Sequence, residues 1–196
     1  MGKISRTWVI PASTTHPTLS IEIREPPLVC RPSWETLYKY HKKLTRKVGD
    51  ALGFKTWGTA WAIAQKLDEF GETHFEHLHE SRNTFTTASG KVIQQMQTRV
   101  LELGAGTGLL GLAAAALWRT NVVMTDLPLF QDNLLHNIHK NSSLLEECNA
   151  NVSCDVLDWT DPENGLTKCW NKQFEVSSQP ADKLHVLTYF IDCDSF

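Results

Sequence analysis

Val100-Leu101-Glu102-Leu103-Gly104-Ala105-Gly106-Thr107-Gly108-Leu109-Leu110-Gly111-Leu112 decides the fold. A short apolar strand carries one acid, Glu102, at its end, turns through three glycines spaced two apart, and runs straight into an alanine- and leucine-rich helix. The reversal needs backbone conformations that glycine adopts at little cost, and a bare backbone lets a ligand come close to the turn. Strand, glycine turn and helix together predict a nucleotide cradle in an α/β sheet. The alternative is a buried strand–turn–helix crossing with small residues kept for packing alone. The next strand argues against it.

The spacing of the glycines narrows the ligand. A dinucleotide turn, G-x-G-x-x-G, would place its third glycine at position 109, where this chain has Leu109. A pyrophosphate needs a helix N-terminus aimed at its charge, whereas an adenosine with a sulfonium amino-acid tail carries no phosphate. Glu102 suits that second ligand, because its carboxylate can face the tail's ammonium, or the water around it, and would repel a pyrophosphate. Downstream, Asn121-Val122-Val123-Met124-Thr125-Asp126-Leu127-Pro128 is an apolar run that ends in an acid. In open α/β sheets an acid at the end of the second strand lies beside the first glycine turn and can accept both ribose hydroxyls. Asp126 can also cap a helix that starts at Pro128, and the two roles are compatible.

Leu-Glu-Leu-Gly-Ala-Gly-Thr-Gly at 101–108, Thr-Asp-Leu at 125–127, Leu-Asp-Trp at 157–159 and Lys-Thr-Trp-Gly at 55–58 resemble the seven-β-strand, S-adenosylmethionine-dependent protein-lysine methyltransferases. Within these they look most like the fungal group that acts on translation elongation factors. The resemblance covers residues 50–160 or so. It implies a Rossmann-like sheet, S-adenosyl-L-methionine as cofactor, and the lysine side chain of a protein, possibly a translation elongation factor, as substrate in the cytoplasm. The site it implies is Trp57 lining the pocket, Glu102, Gly104, Ala105, Gly106 and Gly108 at the turn, Asp126 and Leu127 at the ribose, Trp159 on the adenine, and Asp158 at the adenine's exocyclic amine. An aromatic stacked on a buried ring contributes about 0.5–1.5 kcal/mol beyond its area. The alternative reading of Trp57 and Trp159 is as core aromatics.

Composition agrees with a globular chain: 196 residues, 41% of them hydrophobic, net charge −3. That balance lacks the basic footprint of nucleic-acid binding, so no nucleic-acid partner is expected. Cys30, Cys148, Cys154, Cys169 and Cys193 are odd in number and form no C-x-x-C pair, which points to a reduced, intracellular protein. No apolar run is long enough to span a bilayer. His74, His77 and His79 cluster, but not at the i, i+4 spacing of zinc helices, so no metal site is expected.

The expected organisation is an N-terminal extension over 1–50 and one cofactor-binding domain over 51–196. Leu19-Ser20-Ile21-Glu22-Ile23 alternates as one short edge strand, and Trp34 to Val48 reads as an amphipathic helix. A mostly buried helix has Trp57 at its start and ends near Gly71, and residues 72–97 read as a polar linker. Leu109 to Arg119 forms a helix with a small-residue face, and Pro128 to Leu145 forms the next. In that second helix Leu129, Phe130, Leu134, Leu135 and Ile138 are expected to face inward, and Asn133, Asn137 and Asn141 to face water. Asn151 to Leu157 reads as a third strand, with 174–176 and 184–192 as candidates for a fourth. Neither candidate is followed by the Asp-x-x-Tyr segment of the resembling family, so no catalytic residue is assigned. The family's sheet needs about a hundred further residues at ordinary element lengths. The expectation is therefore an incomplete sheet with an exposed apolar edge, in an altered gene product, a fragment, or a cofactor- or partner-binding remnant without turnover. A small-molecule methyltransferase of the same fold is a further alternative.

Overall fold

The computed structural model describes residues 4–26, 52–74, 83–86, 92–95, 98–158 and 185–188. The expected helix at 34–48 and the strand candidate at 174–176 lie outside them. β1 (Ile4–Ile10) and β2 (Leu19–Glu25) form an antiparallel hairpin with Ile4 opposite Glu25 and Ile10 opposite Leu19. Two strands thus stand where the alternation pattern predicted one. β2 buries Leu19, Ile21 and Ile23 on one face, whereas β1 buries only Ile10 and so carries no apolar alternation to read.

The single helix expected between Trp57 and Gly71 is two, α1 (Gly58–Ala64) and α2 (Leu67–His74). The Lys66 N–H bonds the Ile63 carbonyl at 2.8 Å, an i→i−3 contact that tightens the turn and breaks the α-helical ladder. Gly71 lies buried within α2 instead of ending it, and only Ala60, Ala64, Leu67 and Gly71 are buried across the pair, so one face is covered and not most of the surface. The supposed linker contains the hairpin of β3 (Asn83–Thr86) and β4 (Val92–Gln95), whose strands of four residues each are too short to show a period.

The remaining strands are β5 (Thr98–Leu103), β6 (Asn121–Asp126), β7 (Asn151–Val156) and β8 (His185–Thr188), all parallel, in the order β7-β6-β5-β8. β8 falls within the second of the two fourth-strand candidates. Strand order reverses at β5: β6 and β7, the next two strands of the chain, go to one side of it and β8 to the other. In open α/β sheets ligands bind outside the carboxyl ends of the strands at such a reversal.

Between β5 and β6, α3 (Leu109–Trp118) is buried at all ten positions. A helix apolar all round has no face for water, and it sits under the sheet, β2, α1, α2 and α5 (Ser142–Glu147). Its Leu109, Leu110 and Leu112 each contribute about 1.5–3 kcal/mol by leaving water. Trp118 closes the far end, donating its indole N–H to the Leu67 carbonyl at 2.8 Å.

Past β6, the single helix expected over 128–145 divides into a 3₁₀ turn at Pro128–Phe130, α4 (Gln131–Lys140) and α5. Its facing is also corrected. Asn133, Asn137 and Asn141 are 2%, 0% and 3% exposed, while Leu135 is 46% exposed. The three asparagines lie at i, i+4 spacing against the β2 edge. The Glu22 N–H donates to Asn141 Oδ1 at 2.9 Å, and Asn141 Nδ2 returns to the Glu22 carbonyl at 2.8 Å. The Arg24 N–H donates to Asn137 Oδ1 at 2.9 Å, and Asn133 Nδ2 reaches the Arg24 carbonyl at 3.2 Å. Residues two apart in a strand present their peptide groups to the same side, so side-chain amides here complete an edge that would otherwise expose unpaired donors and acceptors. The hairpin is thereby fixed to the same core as α3, in which Ile10, Leu19, Ile21 and Ile23 take part.

Candidate cofactor site

The glycine turn has the conformation its spacing predicted. Gly104, Gly106 and Gly108 have φ of 71°, 56° and 82°, the left-handed region in which a side chain is strained. The turn is tied to β6: the N–H groups of Gly104 and Ala105 both donate to the Thr125 carbonyl, at 2.9 and 3.0 Å. Gly108 then caps α3, and the Leu112 N–H makes that helix's first return bond, to the Gly108 carbonyl at 3.0 Å. The preceding helix N–H groups have no partner within the helix, as at any helix start.

Two acids stand at the ends of the two central strands, and their surroundings differ. Asp126 is 9% exposed and holds two backbone donors, Gly106 N–H on Oδ2 at 2.6 Å and Leu127 N–H on Oδ1 at 2.7 Å. Burial pushes its carboxyl up, and the two N–H groups oppose that by favouring the charged form. Glu102 is 0% exposed. It lies beneath the first turn of α3, where a Cβ on Gly111 would collide with its Oε2 and come within 2.7 Å of Met124 Sδ. Neither of its oxygens completes a hydrogen bond, although the Gly111 N–H is close enough to favour the charge. Burial first, and the Asp126 charge second, push the Glu102 carboxyl up to about 8.

The segment carrying Trp57 lies over the turn. Gly53 packs against Gly106, so closely that a Cβ on Gly106 would stand 3.3 Å from the Gly53 carbonyl oxygen. The hydroxyls of Thr56 and Thr107 are 2.9 Å apart. Trp57 is half-buried and precedes α1, its carbonyl accepting the Trp61 N–H at 3.2 Å. Phe54 and Phe130 meet edge to face at 4.8 Å between centroids, with the Phe130 ring against Gly53. On the other flank, the Leu157 N–H donates to the Asp126 carbonyl at 3.0 Å, which sets the half-buried Asp158 one residue beyond that edge. Gln131 Nε2 bridges the carbonyls of Asp126 and Asp155, at 3.1 and 2.9 Å.

The structure thus gathers Gly104, Ala105, Gly106, Gly108, Asp126 and Leu127 at one sheet edge, brings the Trp57 segment over them, and seals Glu102 below. Trp159 lies outside the described residues. Among the described residues no cluster of three or more metal-ligating side chains occurs, and no helix is long and apolar enough to cross a membrane. Sequence reasoning gives Thr56, Thr107 and Gln131 no role of their own and expects Asn137 to face water. The i, i+4 repeat of Asn133, Asn137 and Asn141 was the available signal for the last, since amides recurring on one helix face can serve a backbone edge as well as water.

A parallel sheet reversing at β5, a three-glycine turn at the end of β5 and an acid at the end of β6 define a Rossmann-like fold of the methyltransferase type. The chain belongs to the lysine methyltransferase family, whose profile matches residues 41–173. It is similar to protein-lysine N-methyltransferase rrg1 of Schizosaccharomyces pombe, 39% identical over 113 residues that make 58% of this chain and 30% of that protein. It is 34% identical over 126 residues to protein-lysine N-methyltransferase EFM2 of Saccharomyces cerevisiae, covering 61% of this chain and 27% of that protein. To protein-lysine methyltransferase METTL21E of Mus musculus it is 27% identical over 135 residues, 68% of this chain and 46% of the mouse protein. The chain therefore spans under a third of the length of the two yeast relatives and under half of the mouse one.

Proposed function

We propose that the chain binds S-adenosyl-L-methionine at the carboxyl ends of β5 and β6 and acts as a protein-lysine N-methyltransferase in the cytoplasm, on a translation factor or similar protein. The observation that carries this reading is the short bond from Gly106 N–H to Asp126 Oδ2, which joins the glycine turn to an acid that keeps some exposure. Each carboxylate oxygen has a second lone pair beyond the N–H it already accepts, which suits a ribose diol. The chemistry of the turn also fits the cofactor: it offers backbone and no cation, as a ligand without phosphate requires.

When bound, S-adenosyl-L-methionine supplies an electrophilic methyl group on a sulfonium, open to in-line attack by the lone pair of a neutral amine. The chain's own residues orient and enclose. Asp126 and Leu127 would hold the ribose, the 104–108 turn would admit the amino-acid tail, Trp57 would wall the pocket, and Asp158 and Trp159 would serve the adenine. Glu102, sealed under α3, shapes the turn from below and is itself closed to water. Holding the two reactants in line converts an encounter into a unimolecular step, and excluding water from the amine favours its uncharged form.

The test is transfer of radiolabel from S-adenosyl-L-methionine to proteins of a cell extract, followed by hydrolysis of the labelled band. A labelled protein containing methyl-lysine, absent with Asp126→Ala, is the expected result. A folded chain that binds the cofactor and labels no protein would overturn the transferase reading and leave a cofactor-binding protein.

A further inference from the structure

The end of β2 reaches the glycine turn by two routes that converge on Thr107. On the first, the Arg24 N–H donates to Asn137 Oδ1 at 2.9 Å, and Asn137 Nδ2 donates to the Thr107 carbonyl at 2.9 Å. On the second, Glu25 Oε1 accepts the Thr56 N–H at 3.2 Å, and the Thr56 hydroxyl meets the Thr107 hydroxyl at 2.9 Å. Arg6 of β1 stands 3.6 Å from the other Glu25 oxygen. Thr107 lies between Gly106 and Gly108, both at positive φ, so its peptide orientation sets that of the N–H groups on either side. Asn137 has no exposure and Thr107 is 3% exposed, and a buried amide bond of this kind has no water to replace it.

We infer that Asn137 is a positioning residue for the cofactor turn, and that the N-terminal hairpin, through Arg24 and Glu25, is part of the cofactor site's support and not an appendage to it. The inference rests on the cofactor reading above. Its sharpest feature is an internal control: Asn133 and Asn141 bond the same strand from the same helix face, and neither bonds the turn, Asn141 adding only a bond to the Asn137 backbone carbonyl at 2.7 Å. If the asparagines served only to hold β2, the three would be equivalent.

The experiment compares Asn133→Ala, Asn137→Ala and Asn141→Ala in the full chain, reading melting temperature and calorimetric affinity for S-adenosyl-L-methionine. All three lower the melting temperature. Asn137→Ala alone weakens binding, by about five- to thirtyfold for the loss of one or two buried hydrogen bonds. Thr56→Val, which keeps the shape and removes the second route's hydroxyl, weakens it by about threefold to tenfold. Should Asn137→Ala fail to fold, Thr56→Val carries the test: binding equal to wild type from that variant overturns the inference. Equal affinity across the three asparagine variants overturns it as well. Absence of binding by folded wild type instead overturns the cofactor reading itself, so the two failures are told apart.

Discussion

The carboxyl ends of β5 and β6 lie side by side, Asp126 is the last residue of β6 and Glu102 the last but one of β5, and the two acids have different surroundings. At the end of β6, Asp126 holds two backbone N–H groups and keeps an opening to solvent. At the end of β5, Glu102 is closed beneath α3 with no completed hydrogen bond, and its carboxyl sits near 8. In a sequence the pair reads as two ligand-facing carboxylates. What separates them is one glycine, Gly111, whose missing side chain leaves a space in the first turn of α3 that Glu102 fills. A strand-end acid can serve a ligand or serve the helix that follows, and burial decides which.

The comparison can be broken first through pH. Glu102 has a folded value near 8 against an ordinary 4.5, so folding favours its protonated form. That contribution is fully present below the ordinary value and is lost as pH rises toward and through 8. Wild-type stability therefore falls across this window, by at most about 5 kcal/mol. Glu102→Gln removes the titration, so urea unfolding of the variant between about pH 5 and 9 gives a flatter profile, leaving the contribution of Asp126, whose sign is the same. Identical profiles for variant and wild type would mean that Glu102 reaches water.

A smaller effect comes from Gly111→Ala. Its methyl group would fall on Glu102 Oε2 and Met124, an overpacking that costs about 1–3 kcal/mol in urea unfolding. A change under about 0.5 kcal/mol would show that the acid has somewhere else to go.

Asp126→Asn sharpens the other side. The amide has one oxygen where the carboxylate has two, so one of the Gly106 and Leu127 N–H groups loses its acceptor. The cost is about 1–2 kcal/mol, seen as a lowered melting temperature. No change would place those donors on other partners.

Much of this edge was legible because its parts are close in sequence. The three glycines, the strand-end acids and the fully apolar α3 are local patterns, and the conformations they predict are those observed. β2 was legible from its alternation, whereas β1, the β3–β4 hairpin and the Asn face were not, for a different reason in each case. β1 buries one residue of seven, and β3 and β4 are four residues each, so neither offers a period. Asn133, Asn137 and Asn141 are polar and were read as wet, since nothing local reveals that a bare strand edge more than a hundred residues earlier needs their amides. Glu102 was placed correctly on its strand, and its closure under α3 depended on a backbone approach that only the fold displays.

The central claim is that Asp126 receives the cofactor while Glu102 supports the turn from within. Calorimetric titration of S-adenosyl-L-methionine into wild type, Asp126→Ala and Glu102→Gln, each shown folded by its melting transition, tests it most directly. The account predicts micromolar binding by wild type, a loss of about a hundredfold or more with Asp126→Ala, and binding within about threefold of wild type with Glu102→Gln. Undiminished binding by Asp126→Ala, or its abolition by Glu102→Gln, would contradict it.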